Sequence, residues 1–319
     1  MKATRFGSPL PAGGTVGVFA PSGPFENRSD VLRPIEWWKS RGYGVRLTDS
    51  VWARQDYVAG PAQDRVDDLH ALLLDDEVDV IFCLWGGVGA IEMLQLIDYD
   101  LVAENPKAIM GFSDVTNLQA ALLKHSGLCT FHGPGFGSFG SSDREAFTLD
   151  SAVKALTDGG TGDVPRRPDD PYVRPIARGR VSAPVVGGNL YTLNHLIGTP
   201  YELDLSGAIV MLEEVDLRTI HFDVMLWQMR LAGAFDEVAG FVVSDLHGCG
   251  QPDPEVVADR SLEDVLEQHL GSLGVPVIYG LPLGHGPHLA SIPFGVAATL
   301  DGDARTLTID EPGVRPGAA

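Results

Sequence analysis

Apolar residues in the first half of the chain form short continuous runs that alternate with segments of helical periodicity. The runs 15–20, 78–85 and 108–112 are apolar almost throughout and each ends at a turn residue, which predicts buried strands. In residues 62–74 the apolar positions recur at helical spacing. Buried strands separated by helices predict a parallel sheet covered on both faces. The same criteria predict helices over 30–41 and 115–124 and a short strand over 45–47.

The composition changes after residue 158. Residues 158–180 are rich in proline, glycine and charge and have no period, which predicts a linker or a long functional loop. We therefore divide the chain into an N-terminal domain (1–150), a linker (151–180) and a C-terminal domain (181–319). In the last of these, the pattern predicts strands over 208–212, 240–244, 275–279 and 296–300, and helices over 222–231 and 261–273.

Charge and cysteine content narrow the class of protein. The 319 residues include 23 Lys plus Arg and 43 Asp plus Glu, for a formal net charge of −20, which argues against nucleic-acid or membrane partners. A hydrophobic fraction of 44% is enough for a sizeable core. Three cysteines without C-x-x-C spacing suit a reducing compartment. With no signal-peptide pattern or spanning segment, these features predict a soluble, cytoplasmic protein.

Ser113 directly follows the apolar run 108–112 and precedes a predicted helix. A strand–turn–helix junction places its turn residue at the carboxyl edge of a parallel sheet, where open α/β folds bind ligands. The free N–H groups and dipole of the helix N-terminus favour an oxyanion there, as at a nucleophile elbow, although Val115 departs from the G-x-S-x-G pattern. The alternative is that Ser113 or Asp114 only caps the helix, and the local sequence favours that interpretation.

A nucleophilic serine needs a general base and a carboxylate that orients the base. His285 and His288 lie in LPLGHGPHL, a Gly/Pro-rich turn from which a histidine could point into a cleft or simply face water. Glu213 and Glu214 end the apolar segment AIVML, and adjacent strand residues point to opposite faces, so only one of the two can serve. The periodicity does not choose between them. His247 and Cys249 indicate a metal only weakly, since zinc needs three or four ligands.

Two further turns follow predicted strands at the same edge of the sheet. Gly86 and Gly87 follow the second buried strand, and their missing side chains would let backbone N–H groups approach a substrate closely. The alternative is a tight turn without a role in binding. Ser22, in the turn APSGP after the first strand, is a candidate for the rim of the cleft or simply a turn residue.

The motifs APSGP, GFSD, GGNL, LEE and GLPLGH occur in this order between residues 16 and 301. In this combination the chain resembles the LD-carboxypeptidase family of serine peptidases, which includes muramoyl-tetrapeptide carboxypeptidases and microcin-C self-immunity peptidases. The resemblance implies a flavodoxin-like, parallel-sheet N-terminal domain and a smaller, β-rich α/β C-terminal domain. The active site would lie between the two domains, and family members are often homodimers.

The resemblance also assigns roles to residues. Ser113 of GFSD matches the nucleophile, Glu213 is preferred over Glu214 as the orienting acid, and His285 is preferred over His288 as the base. This is a Ser-Glu-His triad that requires no metal or organic cofactor.

The same comparison places the oxyanion hole in the backbone. Its donors would be the N–H of Asp114 and the N–H of Gly86 or Gly87.

The implied substrate is a murein tetrapeptide that loses its C-terminal D-alanine during cell-wall recycling. Such a substrate has a free carboxylate, for which Arg178, Arg180 and Arg218 are candidates by their placement along the chain. Trp85 and Val88 stand where the family commonly has Arg and Tyr. Trp85 could stack on an aromatic or nucleobase group, although a place at the edge of the core is favoured.

The sequence is also compatible with two other functions. The same chemistry could act on a peptidyl- or aminoacyl-nucleotide antibiotic, which Trp85 and the linker favour slightly. The chain could instead be a catalytically silent peptide-binding protein, against which the intact triad argues.

Overall fold

The computed structural model describes residues 2–140, 146–169, 172–250 and 260–316. The strands within these ranges are β1 (Thr15–Phe19), β2 (Gly44–Leu47), β3 (Val80–Cys83), β4 (Ala108–Gly111), β5 (Thr130–His132), β6 (Gly162–Asp163), β7 (Arg174–Ala177), β8 (Arg180–Asn189), β9 (Ile209–Glu213), β10 (Gly240–Ser244), β11 (Val277–Leu281), β12 (Ile292–Phe294), β13 (Val296–Asp301) and β14 (Thr306–Ile309). The helices are α1 (Ser29–Ser40), α2 (Ala62–Leu74), α3 (Tyr99–Glu104), α4 (Thr116–Ser126), α5 (Ala146–Asp158), α6 (Leu190–Leu196), α7 (Thr219–Leu231) and α8 (Leu262–Leu266).

The first sheet has the strand order β2-β1-β3-β4-β5-β12. Strands β1 to β5 are mutually parallel, in the order 2-1-3-4-5 of flavodoxin-like folds. The predicted parallel sheet is therefore confirmed. In this topology ligands bind beyond the carboxyl ends of the strands, near the crossover between β1 and β3. The short strand β5 was missed because three residues are too few to show a period.

Strand β12 runs antiparallel to β5 and closes the edge of the first sheet. β12 belongs to the predicted C-terminal domain in sequence, but it completes the sheet of the predicted N-terminal domain. The proposed boundaries at residues 150 and 181 stay predictions.

The second sheet has eight strands in the order β6-β14-β13-β8-β9-β10-β11-β7 within the described residues. Its centre, β8 to β11, is parallel, and the flanking strands are antiparallel. The segment 158–180, expected to be a linker or a long functional loop, supplies both edge strands, β6 and β7. Edge strands are short and tolerate proline, as β7 does at Pro175, so they left no periodic pattern.

The five predicted helices correspond to α1, α2, α4, α7 and α8, whereas α3, α5 and α6 were not predicted. Pro34 lies inside α1 and is buried. α7 begins three residues earlier than predicted, and the helix expected over 261–273 continues from α8 as a π-helix, Glu267–Gly271. No helix in the described part of the chain is both long and apolar enough to cross a membrane.

Candidate active site

Ser113 lies at the turn between β4 and α4. Its φ angle is +64°, in the left-handed region that is uncommon for a residue with a side chain. The turn Ser113–Val115 is a short 3-10 helix that leads directly into Thr116 of α4. Backbone strain of this kind is concentrated at functional sites, and it argues against a plain cap. Moreover, the Ser113 side chain makes no capping hydrogen bond in the described residues; α4 has no side-chain cap.

The Ser113 side chain explains why the loop after β3 has a glycine at position 86. A Cβ atom at Gly86 would lie 2.9 Å from Cβ and 3.1 Å from Oγ of Ser113. Gly87 has a φ angle of +103°, which side chains rarely adopt. The backbone of this loop therefore passes directly beside the Ser113 hydroxyl.

Glu213 and His285 form a buried pair. Glu213 is the last residue of β9 and is completely buried. His285 Nδ1 lies 2.7 Å from Glu213 Oε2, so the Nδ1–H donates to the carboxylate. The Phe112 ring, next to Ser113 in the chain, packs 4.7 Å from the His285 ring. This contact packs the loop after β11, which carries His285, against the turn after β4, which carries Ser113.

The neighbouring acid, Glu214, points away from His285. Its carboxylate accepts hydrogen bonds from Asn189 Nδ2 at 3.1 Å and from the Tyr191 N–H at 3.0 Å. The alternation expected for adjacent strand residues is thus observed, and the structure identifies Glu213 as the partner of His285.

His288 has a different environment from His285. Its side chain is almost fully buried, with Nδ1 3.3 Å from Asp169 Oδ1 and its ring against Phe147. His288 therefore helps to pack the loop and is not part of the Glu213 pair.

The two sheets meet just behind this site. The Asn189 N–H, at the end of β8, donates to Thr116 Oγ1 at 3.0 Å. A Cβ atom at Gly188 would collide with Thr116. Gly188 of the GGNL motif lets the second sheet approach the first turn of α4, three residues after Ser113.

Asp245 is a residue of the site that the sequence reasoning missed. It follows β10, and a Cβ atom on Gly286 would collide with its carboxylate. Burial raises the pKa of Asp245, and the opposing charge of Arg167 lies 3.6 Å away. Asp245 thus explains why glycine follows His285. Its only sequence signal was its position at a strand end.

Ser113 and His285 line one cavity of about 580 Å³. Its other walls are the loop after β3, the Ser138 region, the loop after β1 with Glu26, and the first turn of α1 with Asp30. Trp85 lines the cavity and also packs against the core and Gly137, so the two interpretations of this residue are compatible. A cavity of this size holds a small peptide or a nucleoside derivative.

The predicted substrate contacts are mostly elsewhere. Ser22 is completely buried and is not on the rim of the cavity. Arg178, in the turn between β7 and β8, and Arg180, the first residue of β8, are exposed and pair with Asp303 and Asp301, at 2.7 and 4.0 Å. Closeness in sequence to the linker did not bring them to the site.

Arg218 directly precedes α7, with Nη2 3.4 Å from His221 Nε2. No lysine or arginine is among the described residues that line the cavity. Nor do the described residues include three or more His, Cys, Asp or Glu side chains grouped closely enough to hold a metal ion.

Comparison with known proteins identifies the family to which this architecture belongs. The family model of the LD-carboxypeptidase N-terminal domain matches residues 16–133, and the model of the C-terminal domain matches residues 182–300. The chain is 32% identical over 310 residues to the probable murein peptide carboxypeptidase of Bacillus subtilis (strain 168), across 97% of this chain and 95% of the relative. The chain belongs to the LD-carboxypeptidase family. The resemblance inferred from the motifs is confirmed.

Solved structures of similar fold include two kinds of protein. The muramoyltetrapeptide carboxypeptidase from Oxalobacter formigenes superimposes with a TM-score of 0.81 at 28% identity, covering 93% of this chain and 99% of that one. MccF in complex with glutamyl sulfamoyl guanosine superimposes with a TM-score of 0.85 at 24% identity, covering 97% and 99%. The LD-carboxypeptidase fold is thus shared by both.

Proposed function

We propose that the chain is a serine LD-carboxypeptidase that releases the C-terminal D-alanine of murein tetrapeptides during cytoplasmic cell-wall recycling. The observation that carries this proposal is the buried Glu213–His285 pair beside a cavity that the strained Ser113 also lines. The names of the carboxypeptidases that resemble this chain support the substrate class.

In the proposed triad, Ser113 is the nucleophile, His285 is the general base and Glu213 orients His285. Glu213 accepts the Nδ1–H of His285, so that Nε2 acts as the general base, and the carboxylate stabilises the imidazolium that forms later. His285 takes the Ser113 proton as Oγ attacks the scissile carbonyl, and then protonates the leaving amine of D-alanine. Water activated by His285 hydrolyses the acyl-enzyme. No metal or organic cofactor takes part in these steps.

Backbone N–H groups bind the tetrahedral oxyanion. The N–H of Asp114 and that of Gly86 or Gly87 are the donors, beside the Ser113 hydroxyl. None of these N–H groups donates a backbone hydrogen bond to another described residue, which leaves them available to a substrate. Removal of one such preorganised donor typically lowers kcat by a factor of about 10²–10³.

The test is release of D-alanine from a diaminopimelate-containing murein tetrapeptide, followed by mass spectrometry. The wild type should release it, and Ser113→Ala should lose about 10⁶-fold in kcat because the nucleophile is gone. Ser126→Ala, at the other end of α4, is the matched control and should stay active. Equal release by wild type and Ser113→Ala would refute the triad.

A second substrate class has an observation in its favour. The Trp85 ring lines the cavity and could stack on a nucleobase, and MccF, whose complex holds glutamyl sulfamoyl guanosine, shares the fold. If the tetrapeptide is not cleaved but an aminoacyl-nucleotide amide is, the chain is an antibiotic-detoxifying amidase. Saturable peptide binding without any turnover, unaffected by Ser113→Ala, would instead indicate a silent binding protein.

We further propose a homodimer, as the family resemblance implies. The outer face of α7 exposes Ile220, Val224, Trp227 and Leu231, which recur at helical spacing. Contiguous exposed apolar residues of this kind often mark an interface. Sedimentation should show a dimer for the wild type and a monomer for Val224→Glu; a monomeric wild type would refute the assembly.

A further inference from the structure

Arg65, on α2, has a completely buried guanidinium group. Burial of a charge costs free energy unless hydrogen bonds and opposite charge compensate it. An arginine at a core position of an amphipathic helix therefore needs a specific reason.

The guanidinium of Arg65 joins the two loops that wall the cavity. Its Nη1 donates to the carbonyl of Pro21, in the loop after β1, and at 2.9 Å to the carbonyl of Gly89, in the loop after β3. Its Nη2 donates to the Glu92 carboxylate. A backbone hydrogen bond from the Gly23 N–H to the Gly86 carbonyl, 3.0 Å long, joins the same two loops at the cavity.

Asp114 connects this assembly to the nucleophile. Its carboxylate accepts the Ala90 N–H at 2.8 Å and the Asn117 amide at 2.9 Å. Burial raises the pKa of Asp114, while these hydrogen bonds and the charge of Arg65 act in the opposite direction. Arg65 holds Gly89, Asp114 holds Ala90, and Asp114 is the residue after Ser113.

We propose that Arg65 is a positioning residue that fixes the loop 86–90, and with it the Gly86 and Gly87 N–H groups, against Ser113. This role rests on the proposed function, because it matters only if the loop stabilises an oxyanion. The alternative is that Arg65 only stabilises the fold, in which case its loss would lower stability without a specific loss of acylation.

Lys107 provides the matched control for that alternative. Its ammonium also caps backbone carbonyls next to α2, those of Leu72 at 2.9 Å and of Asp75, but it does not line the cavity. Lys107→Met and Arg65→Gln both remove a cation that binds carbonyls of this region. Only Arg65→Gln should disturb the loop 86–90.

The experiment measures kcat and KM for D-alanine release and, separately, the rate at which a fluorophosphonate labels Ser113, well below the melting temperature of each variant. Arg65→Gln should lower kcat and the labelling rate by about 10²-fold, as loss of an oxyanion donor does, with little change in KM. Arg65→Lys should recover part of both rates. Equal labelling of Arg65→Gln and Lys107→Met would overturn the positioning role.

A milder pair covers the case in which Arg65→Gln does not fold. Glu92 is 44% exposed and contacts only one end of the guanidinium, so Glu92→Ala should fold and lower the labelling rate several-fold. Glu77→Ala, which removes an exposed carboxylate paired with Arg46, should not. No difference between these two variants would also overturn the role. A wild type that neither reacts with the probe nor releases D-alanine would refute the proposed function first.

Discussion

The space between Gly86 and Ser113 leaves no room for a methyl group. A Cβ atom at Gly86 would lie 2.9 Å from Ser113 Cβ, so the loop or the nucleophile must move. Displacement of a reacting group by about 1 Å can cost about 10² in rate. Gly86→Ala is therefore expected to lower kcat for D-alanine release by about that factor while the protein stays folded, which steady-state kinetics and circular dichroism will check.

Gly271→Ala is the control for that substitution. The nearest atom that its Cβ would meet, Ile176 Cγ2, is 3.5 Å away, at ordinary contact distance. Wild-type kcat in Gly86→Ala would contradict the close approach of the loop to the nucleophile.

The local sequence places Ser113 at a strand–turn–helix junction but favours a helix cap there, and the role of nucleophile comes from the family resemblance. The structure confirms the junction, and the catalytic role stays a proposal. The choice of Glu213 over Glu214 depended on a histidine 72 residues away, which periodicity does not see. Arg65 was missed because its helical position looks like any charged residue until the loops that bind it are folded around α2.

The turn between β7 and β8 is exposed, and the described residues that line the cavity do not include it. The side chain of Arg178 is 79% exposed and that of Arg180 71%, and they face acidic residues in the turn after β13 and at the end of β13. Exposed ion pairs contribute at most about 1 kcal/mol to stability. Arg178→Ala and Arg180→Ala should therefore leave kcat and KM within about twofold of the wild type. A tenfold or larger rise in KM would restore them as candidates for carboxylate binding.

Buried strands and edge strands differ in how clearly the sequence predicts them. Buried parallel strands such as β1 and β4 are continuous apolar runs, so both were predicted closely. Edge strands β6 and β7 gain their structure only from pairing with β14 and β11. Pairing partners far apart in the chain are not visible in a local pattern, and the segment therefore looked like a linker.

The whole molecule depends on contacts that cross between its two sheets. His132, at the end of β5, is completely buried, and its Nε2–H donates to the Leu283 carbonyl at 2.8 Å. Leu283 belongs to the loop that carries His285. Burial lowers the pKa of His132 from its ordinary value of 6.5, with the charge of Glu213 acting in the opposite direction.

This burial makes global stability sensitive to acid. Because the pKa of His132 is lower in the folded state, the unfolded chain binds more protons below pH 6.5. Stability is therefore complete above 6.5 and is lost as the pH falls toward the folded pKa, at up to about 1.4 kcal/mol per pH unit. Urea unfolding at several pH values should show a steeper loss for the wild type than for His132→Gln, whose amide can still donate to Leu283. Substitution of the exposed His195 by Gln should leave the slope unchanged. Equal slopes for wild type and His132→Gln would mean that His132 takes up its proton at the same pH in the folded and the unfolded chain, and that another group controls acid stability.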